Sequence, residues 1–84
     1  MKVQKRDGRI AVYDADKIRA AIEKANAAVE AAERVDKQLI EDTIRYVEEH
    51  AGEVMPVESI QDLIEEQLVG HNKYTLAKKY MIYR

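Results

Sequence analysis

The sequence predicts an α+β domain in which a small antiparallel β-sheet covers a cluster of four helices. Three observations predict this class. A turn signal separates two short strands near the start, and apolar residues recur at helical spacing over most of the remainder. The third is the length of 84 residues, which supports one modest core and is too short for two. Residues 1–84 are therefore expected to form a single domain.

The first element is a β-hairpin centred on Asp7-Gly8 and extending roughly from Met1 to Tyr13. Both turn residues tolerate the positive φ that a two-residue type I′ turn requires. A turn of that type fixes which residues of the two strands lie opposite each other.

That turn places Lys5 opposite Ile10 and Val3 opposite Val12, with all four side chains on one face of the hairpin. Burial of an unpaired ammonium among apolar side chains would be costly. The position of Lys5 therefore indicates that a negatively charged group lies near it.

Two helices follow the hairpin. The first is expected to begin after Asp14 and to end within the alanine-rich segment Ala27–Ala32, and the second to begin after Asp36 and stop near Gly52. Their inward-facing residues recur every three or four positions. These are Ile18, Ala21, Ile22, Ala25 and Val29 in the first helix, and Leu39, Ile40, Ile44 and Val47 in the second.

The second half of the chain predicts one extended segment and two more helices. Glu53–Pro56 could add a third strand beside the hairpin, because the residue before a proline is biased away from the helical region. The third helix is expected from Val57 or Glu58 to Val69, and Asn72 can cap the last helix. The residues expected to face inward are Ile60, Leu63, Ile64 and Leu68 in the third helix, and Leu76, Tyr80 and either Met81 or Tyr83 in the last.

Lys17 lies in the first turn of the first helix, where backbone N–H groups are free to bind an anion. A lysine there is slightly unfavourable with the helix dipole, so it needs a reason to be present. Together with Lys5 it predicts a site for a negatively charged ligand, and a phosphate chain fits. The alternative is that Lys17 only offsets Asp14 and Asp16, and that Lys5 is a solvated cation beside a turn.

The residues at both ends of the chain resemble one known family. Lys5-Arg6-Asp7-Gly8 and Asp16-Lys17-Ile18 are similar to the start of the ATP-cone. This small nucleotide-sensing domain lies at the N-terminus of many ribonucleotide reductases and also occurs in a bacterial repressor of the reductase genes. Ser59–Glu66 and Leu76–Arg84 resemble the later helices of the family, so the resemblance covers essentially the whole chain.

The resemblance implies a binding site for an adenine nucleotide. It implies that Lys5 and Arg6 approach the phosphates, joined by Lys17, and that Asp14 lies near the sugar. The purine would stack in an apolar slot, although each residue of that slot is also an ordinary core candidate. The slot residues are Val3, Tyr13, Ile18 and Ile22.

The chain departs from the family pattern at two positions near the nucleotide. Val57 stands where some relatives have a threonine, and Gln61 where they have a histidine. Gln61 can still form a hydrogen bond with a base edge, but Val57 cannot. The departures bear on affinity and on discrimination between sugars rather than on the existence of the site.

Composition excludes several classes of protein. The chain has no cysteine, so it cannot carry a thiolate zinc site, and the resemblance cannot mean a complete reductase or repressor. The 16 acidic and 14 basic residues argue against a broad basic surface for nucleic acid. No nucleophile, acid–base pair or metal cluster appears, so no catalytic residue and no metal ligand are predicted, and Mg²⁺ would arrive with the nucleotide. We expect no membrane span, no signal peptide and a cytoplasmic location.

The leading hypothesis is a regulatory module, not an enzyme, that binds ATP in competition with dATP. The resemblance implies that it controls a reductase catalytic domain or pairs with another ATP-cone in a homo-oligomer. One rival is a structural or protein-interaction module that keeps the fold but has lost nucleotide binding. A further alternative is the nucleotide-sensing part of a transcriptional repressor.

Overall fold

Three short strands and four helices make up the protein in a computed structural model that describes all of residues 1–84. The predicted α+β class is confirmed. The strands are β1 (Lys2–Gln4), β2 (Ile10–Val12) and β3 (Val54–Pro56). The helices are α1 (Ala15–Ala27), α2 (Lys37–Glu49), α3 (Val57–Gly70) and α4 (Tyr74–Tyr83), with a short 3₁₀ turn at Ala31–Glu33 between α1 and α2.

The three strands form one sheet in the order β2-β1-β3. β1 pairs antiparallel with β2 and parallel with β3, so that Val3 lies beside Met55. The sheet is therefore mixed, whereas the sequence suggested a wholly antiparallel one. β2 and two helices separate β1 from β3 along the chain. A connection of that length allows β3 to run parallel to β1.

The hairpin loop has three residues, so the predicted two-residue turn is wrong. The backbone N–H of Lys5 donates to the carbonyl of Arg9 at 2.8 Å, and that of Gly8 to the carbonyl of Lys5 at 2.9 Å. Only Gly8 takes a positive φ in this loop, at 90°, which is typical of a type I turn followed by one left-handed residue. The Asp7 carboxylate stabilises the loop by accepting a hydrogen bond from the N–H of Arg9 at 3.0 Å.

The longer loop shifts the strand register by one residue. Val3 lies opposite Ala11 rather than Val12, and both Ile10 and Val12 lie on the exposed face, where 52% and 78% of their surface is accessible. Lys5 is nevertheless half-buried and in phase with Val3. Alternation within one strand does not depend on register, so this part of the prediction is confirmed.

Helices α1, α2 and α3 begin where the sequence predicts. Asp14 caps α1 by accepting a hydrogen bond from the N–H of Asp16 at 2.9 Å, and Asp36 caps α2 through the N–H of Leu39 at 2.8 Å. None of the four helices combines the length and the apolar composition needed to cross a bilayer.

The core lies between the helices and the inner face of the sheet. Most of the predicted residues are buried, whereas Ala21, Leu39 and Leu63 are half-buried. In α4, Ala77 is buried, while Met81 and Tyr83 are exposed, so the expectation that one of these two faces inward is wrong. The buried apolar residues are Ile18, Ile22, Ala25, Val29, Val35, Ile40, Ile44, Val47, Met55, Ile60, Ile64, Leu68, Leu76, Ala77 and Tyr80.

Asn72 ends α3 and does not cap α4. It has a φ of 61°, and its N–H donates to the carbonyl of Val69 at 2.9 Å. The N–H of Lys73 reaches back to the carbonyl of Leu68 at 2.9 Å, which completes a Schellman motif. Asparagine suits both an N-cap and a left-handed C-terminal position, so the sequence alone did not separate the two.

An ion pair joins α1 to α2. Arg19 donates two hydrogen bonds to the Glu41 carboxylate, at 2.7 and 2.8 Å, and is also paired with Asp16. The hydrogen bonds from Arg19 lower the pKa of Glu41 below its ordinary value of 4.5. The stability that this carboxylate contributes is therefore fully present above pH 4.5 and is lost as the pH falls through its lower pKa in the folded protein.

We expect Glu41→Gln to lower the free energy of unfolding at neutral pH and to have a smaller effect at an acidic pH below the lowered pKa of Glu41, where the wild-type carboxyl is protonated. Urea unfolding at the two pH values measures this difference. Glu30→Gln is the control, because Glu30 is exposed and its side chain makes no ion pair or hydrogen bond. Equal destabilisation by Glu41→Gln at both pH values would contradict the prediction.

Candidate nucleotide site

An apolar cleft of about 130 Å³ lies between the hairpin, the start of α1 and the start of α3. β1 and the end of β2 supply one wall, the first turns of α1 supply the second, and α3 supplies the third. β3 leads directly into α3 and pairs with β1, so the sheet itself holds the third wall against the hairpin. The lining residues are Val3, Lys5, Ala11, Val12, Tyr13, Asp14, Lys17, Ile18, Val57 and Ile60.

Seven of the ten predicted site residues line this cleft. The start of α1 brings three of them together, because Asp14, Lys17 and Ile18 are spaced as neighbours on one helix face. The sequence reasoning did not select Ala11, Val12 or Ile60. Ala11 faces inward only because of the shifted hairpin register, and Ile60 carried the signal of an ordinary core residue.

The cleft opens onto a polar depression on the hairpin side. Lys5 and Val57 line both surfaces and therefore mark the junction between them. The depression is rich in cationic side chains, since three arginines and Lys5 border it. The three arginines are Arg6, Arg9 and Arg84. Besides these cations and Val57, the depression is lined by Gln4, Asp7, Gly8, Pro56, Glu58 and Gln61.

The cations around the site differ in whether the chain already pairs them. Neither Lys5 nor Lys17 makes an ion pair, so both ammonium groups are free to meet an anion. Each of the three arginines, in contrast, is paired with a carboxylate. The N–O distances are 3.2 Å for Arg6 and Glu58, 2.6 Å for Arg9 and Asp7, and 3.3 Å for Arg84 and Glu65.

Gln61 is buried beside the depression and does not line the apolar cleft. Its Oε1 accepts a hydrogen bond from Nη1 of Arg84 at 2.6 Å and another from Nη2 of Arg6 at 3.4 Å. The side chain thereby links the hairpin loop to the end of the last helix. No local sequence signal could show this link, because Arg84 lies 23 positions from Gln61 and Arg6 lies 55 positions away.

Tyr13 lines the cleft, while its hydroxyl is buried without a hydrogen-bond partner. Burial raises the pKa of the Tyr13 hydroxyl above its ordinary value, and the nearby Glu48 carboxylate raises it further. Tyr13 is therefore neutral at physiological pH and contributes an uncharged aromatic surface.

Of the predicted site residues Ile22 and Asp14, only Asp14 lines the cleft. Ile22 is wholly buried in the core and does not line it. Asp14 does line it, and only its Oδ1 is used in capping α1. Its Oδ2 has no hydrogen-bond partner within the protein, so the cap leaves one acceptor free.

The fold and the cleft define a class of small α+β domain in which an apolar slot adjoins unpaired cations. The profile of the family described as the ATP cone domain matches residues 1–84. The chain therefore belongs to the ATP-cone family, as the resemblance of its two ends predicted.

The chain is also similar to the alpha subunits of two ribonucleoside-diphosphate reductases. It is 35% identical over 89 residues to that of Chlamydia pneumoniae, which covers 95% of this chain and 8% of the relative. It is 28% identical over 95 residues to that of Chlamydia trachomatis serovar D, which covers 100% of this chain and 9% of the relative. The chain thus spans less than a tenth of the length of these relatives.

Proposed function

We propose that this chain is a regulatory module that binds an adenine nucleotide, ATP or dATP, with Mg²⁺ carried by the nucleotide. The observation that supports this most strongly is the apolar cleft flanked by two lysines, Lys5 and Lys17, that the chain leaves unpaired. Membership in the ATP-cone family supports a nucleotide-binding regulatory role.

The shape of the site suggests where each part of a nucleotide would bind. Its volume of about 130 Å³ lies below the roughly 300–1,000 Å³ of pockets that enclose drug-sized ligands. The cleft therefore suits the base, which would contact Val3, Tyr13 and Ile18. The phosphates would extend past Lys5 into the polar depression, where charge-assisted hydrogen bonds are available.

The sugar would lie between these two parts, near Asp14. Its free Oδ2 is an acceptor for a ribose hydroxyl, while its Oδ1 continues to cap α1. ATP and dATP differ by one such hydroxyl, so discrimination between them has to arise from contacts in this region.

Regulation requires a partner whose arrangement the ligand changes. The reductase alpha subunits that resemble this chain suggest a reductase catalytic domain, and a second copy of the chain is the other option. A nucleotide can shift the equilibrium between two arrangements only by its differential affinity for them.

A second candidate function is an interaction module that keeps the fold and no longer binds nucleotide. The observation that favours it is Val57, which lines the cleft and offers no hydroxyl to a ligand. In that case the exposed apolar residues of α4, including Met81 and Ile82, would carry the function.

Calorimetric titration with ATP, dATP and GTP in the presence of Mg²⁺ separates the two candidates. We expect heat with ATP and dATP and weaker binding of GTP. A ligand at a hundredfold excess over its Kd stabilises a protein by about 2.7 kcal/mol, so the Tm should rise by roughly 10 °C or more. Neither heat nor a Tm shift with any of the three at millimolar concentration would exclude the nucleotide-binding proposal.

A further inference from the structure

The arginine of the hairpin loop is held by a carboxylate of the neighbouring helix. Nε of Arg6 lies 3.2 Å from Oε1 of Glu58 in the first turn of α3, and Nη2 of Arg6 also donates to Gln61. Arg6 and Glu58 line the polar depression together with Lys5. The Arg6 guanidinium, which would contact the phosphates, therefore already interacts with Glu58 and Gln61.

A carboxylate and a phosphate oxygen recognise a guanidinium in the same way, through charge-assisted N–H···O bonds to its planar fork. A phosphate that binds Arg6 has to displace Glu58 or share the guanidinium with it. The displaced carboxylate then remains close to the bound anion and repels it. Lys5 and Lys17 face no such exchange, because neither is paired.

We propose that Glu58 is a built-in competitor of the phosphate ligand for Arg6 and that it lowers the affinity of the site. This inference rests on the proposed function, because it requires that a phosphate chain enter the depression. It assigns Glu58 a role in setting the ligand concentration at which the domain responds. Glu58 also has a favourable position relative to the α3 dipole, so the test has to separate competition from helix stability.

The expected effect is modest. The side chains of Arg6 and Glu58 are 63% and 66% exposed, and exposed ion pairs contribute little because water and salt screen them. We expect Glu58→Gln to tighten binding of the phosphate ligand about two- to fivefold. The gain should be larger at low ionic strength, where screening is weaker.

The experiment is a titration of ATP and, separately, of inorganic tripolyphosphate, at low and at physiological salt. Wild type is compared with Glu58→Gln, Arg6→Gln and the double variant. The matched control is Asp62→Asn, since Asp62 lies one turn further along α3, is exposed and makes no ion pair or hydrogen bond. Glu58→Gln and Asp62→Asn change the net charge equally, and the Tm of each variant shows whether the fold is kept.

The proposal requires that Glu58→Gln gain more affinity than Asp62→Asn and that this gain disappear when Arg6 is already glutamine. Equal gains from the two acid variants, or a gain that persists without Arg6, would overturn it. If the pattern appears with tripolyphosphate while ATP does not bind, the inference stands and the nucleotide function fails. If ATP binds the wild type without the pattern, the inference alone fails, and no binding of either ligand to any variant overturns both.

Discussion

Replacement of both Lys5 and Lys17 with alanine is expected to abolish nucleotide binding and to leave the helical fold intact. Both ammonium groups lie at the cleft and have no partner in the chain. A hydrogen bond to a charged group contributes about 1.5–3 kcal/mol, so loss of two should weaken binding by roughly a hundredfold to ten-thousandfold. Calorimetry measures the affinity, and far-UV circular dichroism measures the helix content.

The control for this variant is Lys37→Ala combined with Lys78→Ala. Both of these lysines are exposed, lie away from the cleft and make no ion pair. The control variant also loses two lysines, so its net charge changes by the same amount as that of the Lys5→Ala, Lys17→Ala variant. The control should bind almost as well as wild type at physiological salt. If the double variant binds nucleotide as tightly as the Lys37→Ala, Lys78→Ala control does, the phosphate site lies elsewhere on the molecule.

The second large effect is expected for Ile22→Ala. Ile22 is fully buried at the centre of the core, and truncation of a buried isoleucine to alanine costs about 2–5 kcal/mol, since it removes apolar contacts and leaves a cavity. Small domains are stable by only about 5–15 kcal/mol in total. The Tm should therefore fall by roughly 10 °C or more, as measured by thermal unfolding.

A milder pair of variants tests whether Ile22 belongs to the core or to the site. Ile22→Val and Ile18→Val each remove one methylene group and should each cost about 0.5–1.5 kcal/mol of stability. Ile18 lines the cleft and Ile22 does not, so only Ile18→Val should also weaken nucleotide binding. A similar loss of affinity in Ile22→Val would show that Ile22 contacts the ligand after all.

Much of the fold could be predicted because its signals are local. The N-caps at Asp14 and Asp36 and the apolar spacing along α1, α2 and α3 depend on residues a few positions apart, and the structure confirms them. The inward direction of Lys5 follows from the alternation of a single strand. The predictions that failed depend on competing local options, such as the two possible roles of Asn72.

The hairpin shows where local reasoning ends. Asp7-Gly8 is compatible with a two-residue and with a three-residue loop, and the choice moves every cross-strand pair by one position. The three-residue loop places Ala11 in the cleft wall and Ile10 on the exposed face. This outcome depends on which face of β2 lines the cleft opposite α1 and α3, which is a matter of tertiary structure.

The sequence by itself determined the α+β class, the starts of α1, α2 and α3, and the family, because composition, spacing and motifs are properties of short segments. It also identified Lys5 and Lys17 as the cations of a candidate anion site. Only the tertiary structure decided that these two remain unpaired whereas Arg6 is held by Glu58, and that Gln61 bridges Arg6 and Arg84. Those pairings join residues that are up to 55 positions apart, and only the placement of the hairpin loop and of α4 beside α3 brings such side chains into contact.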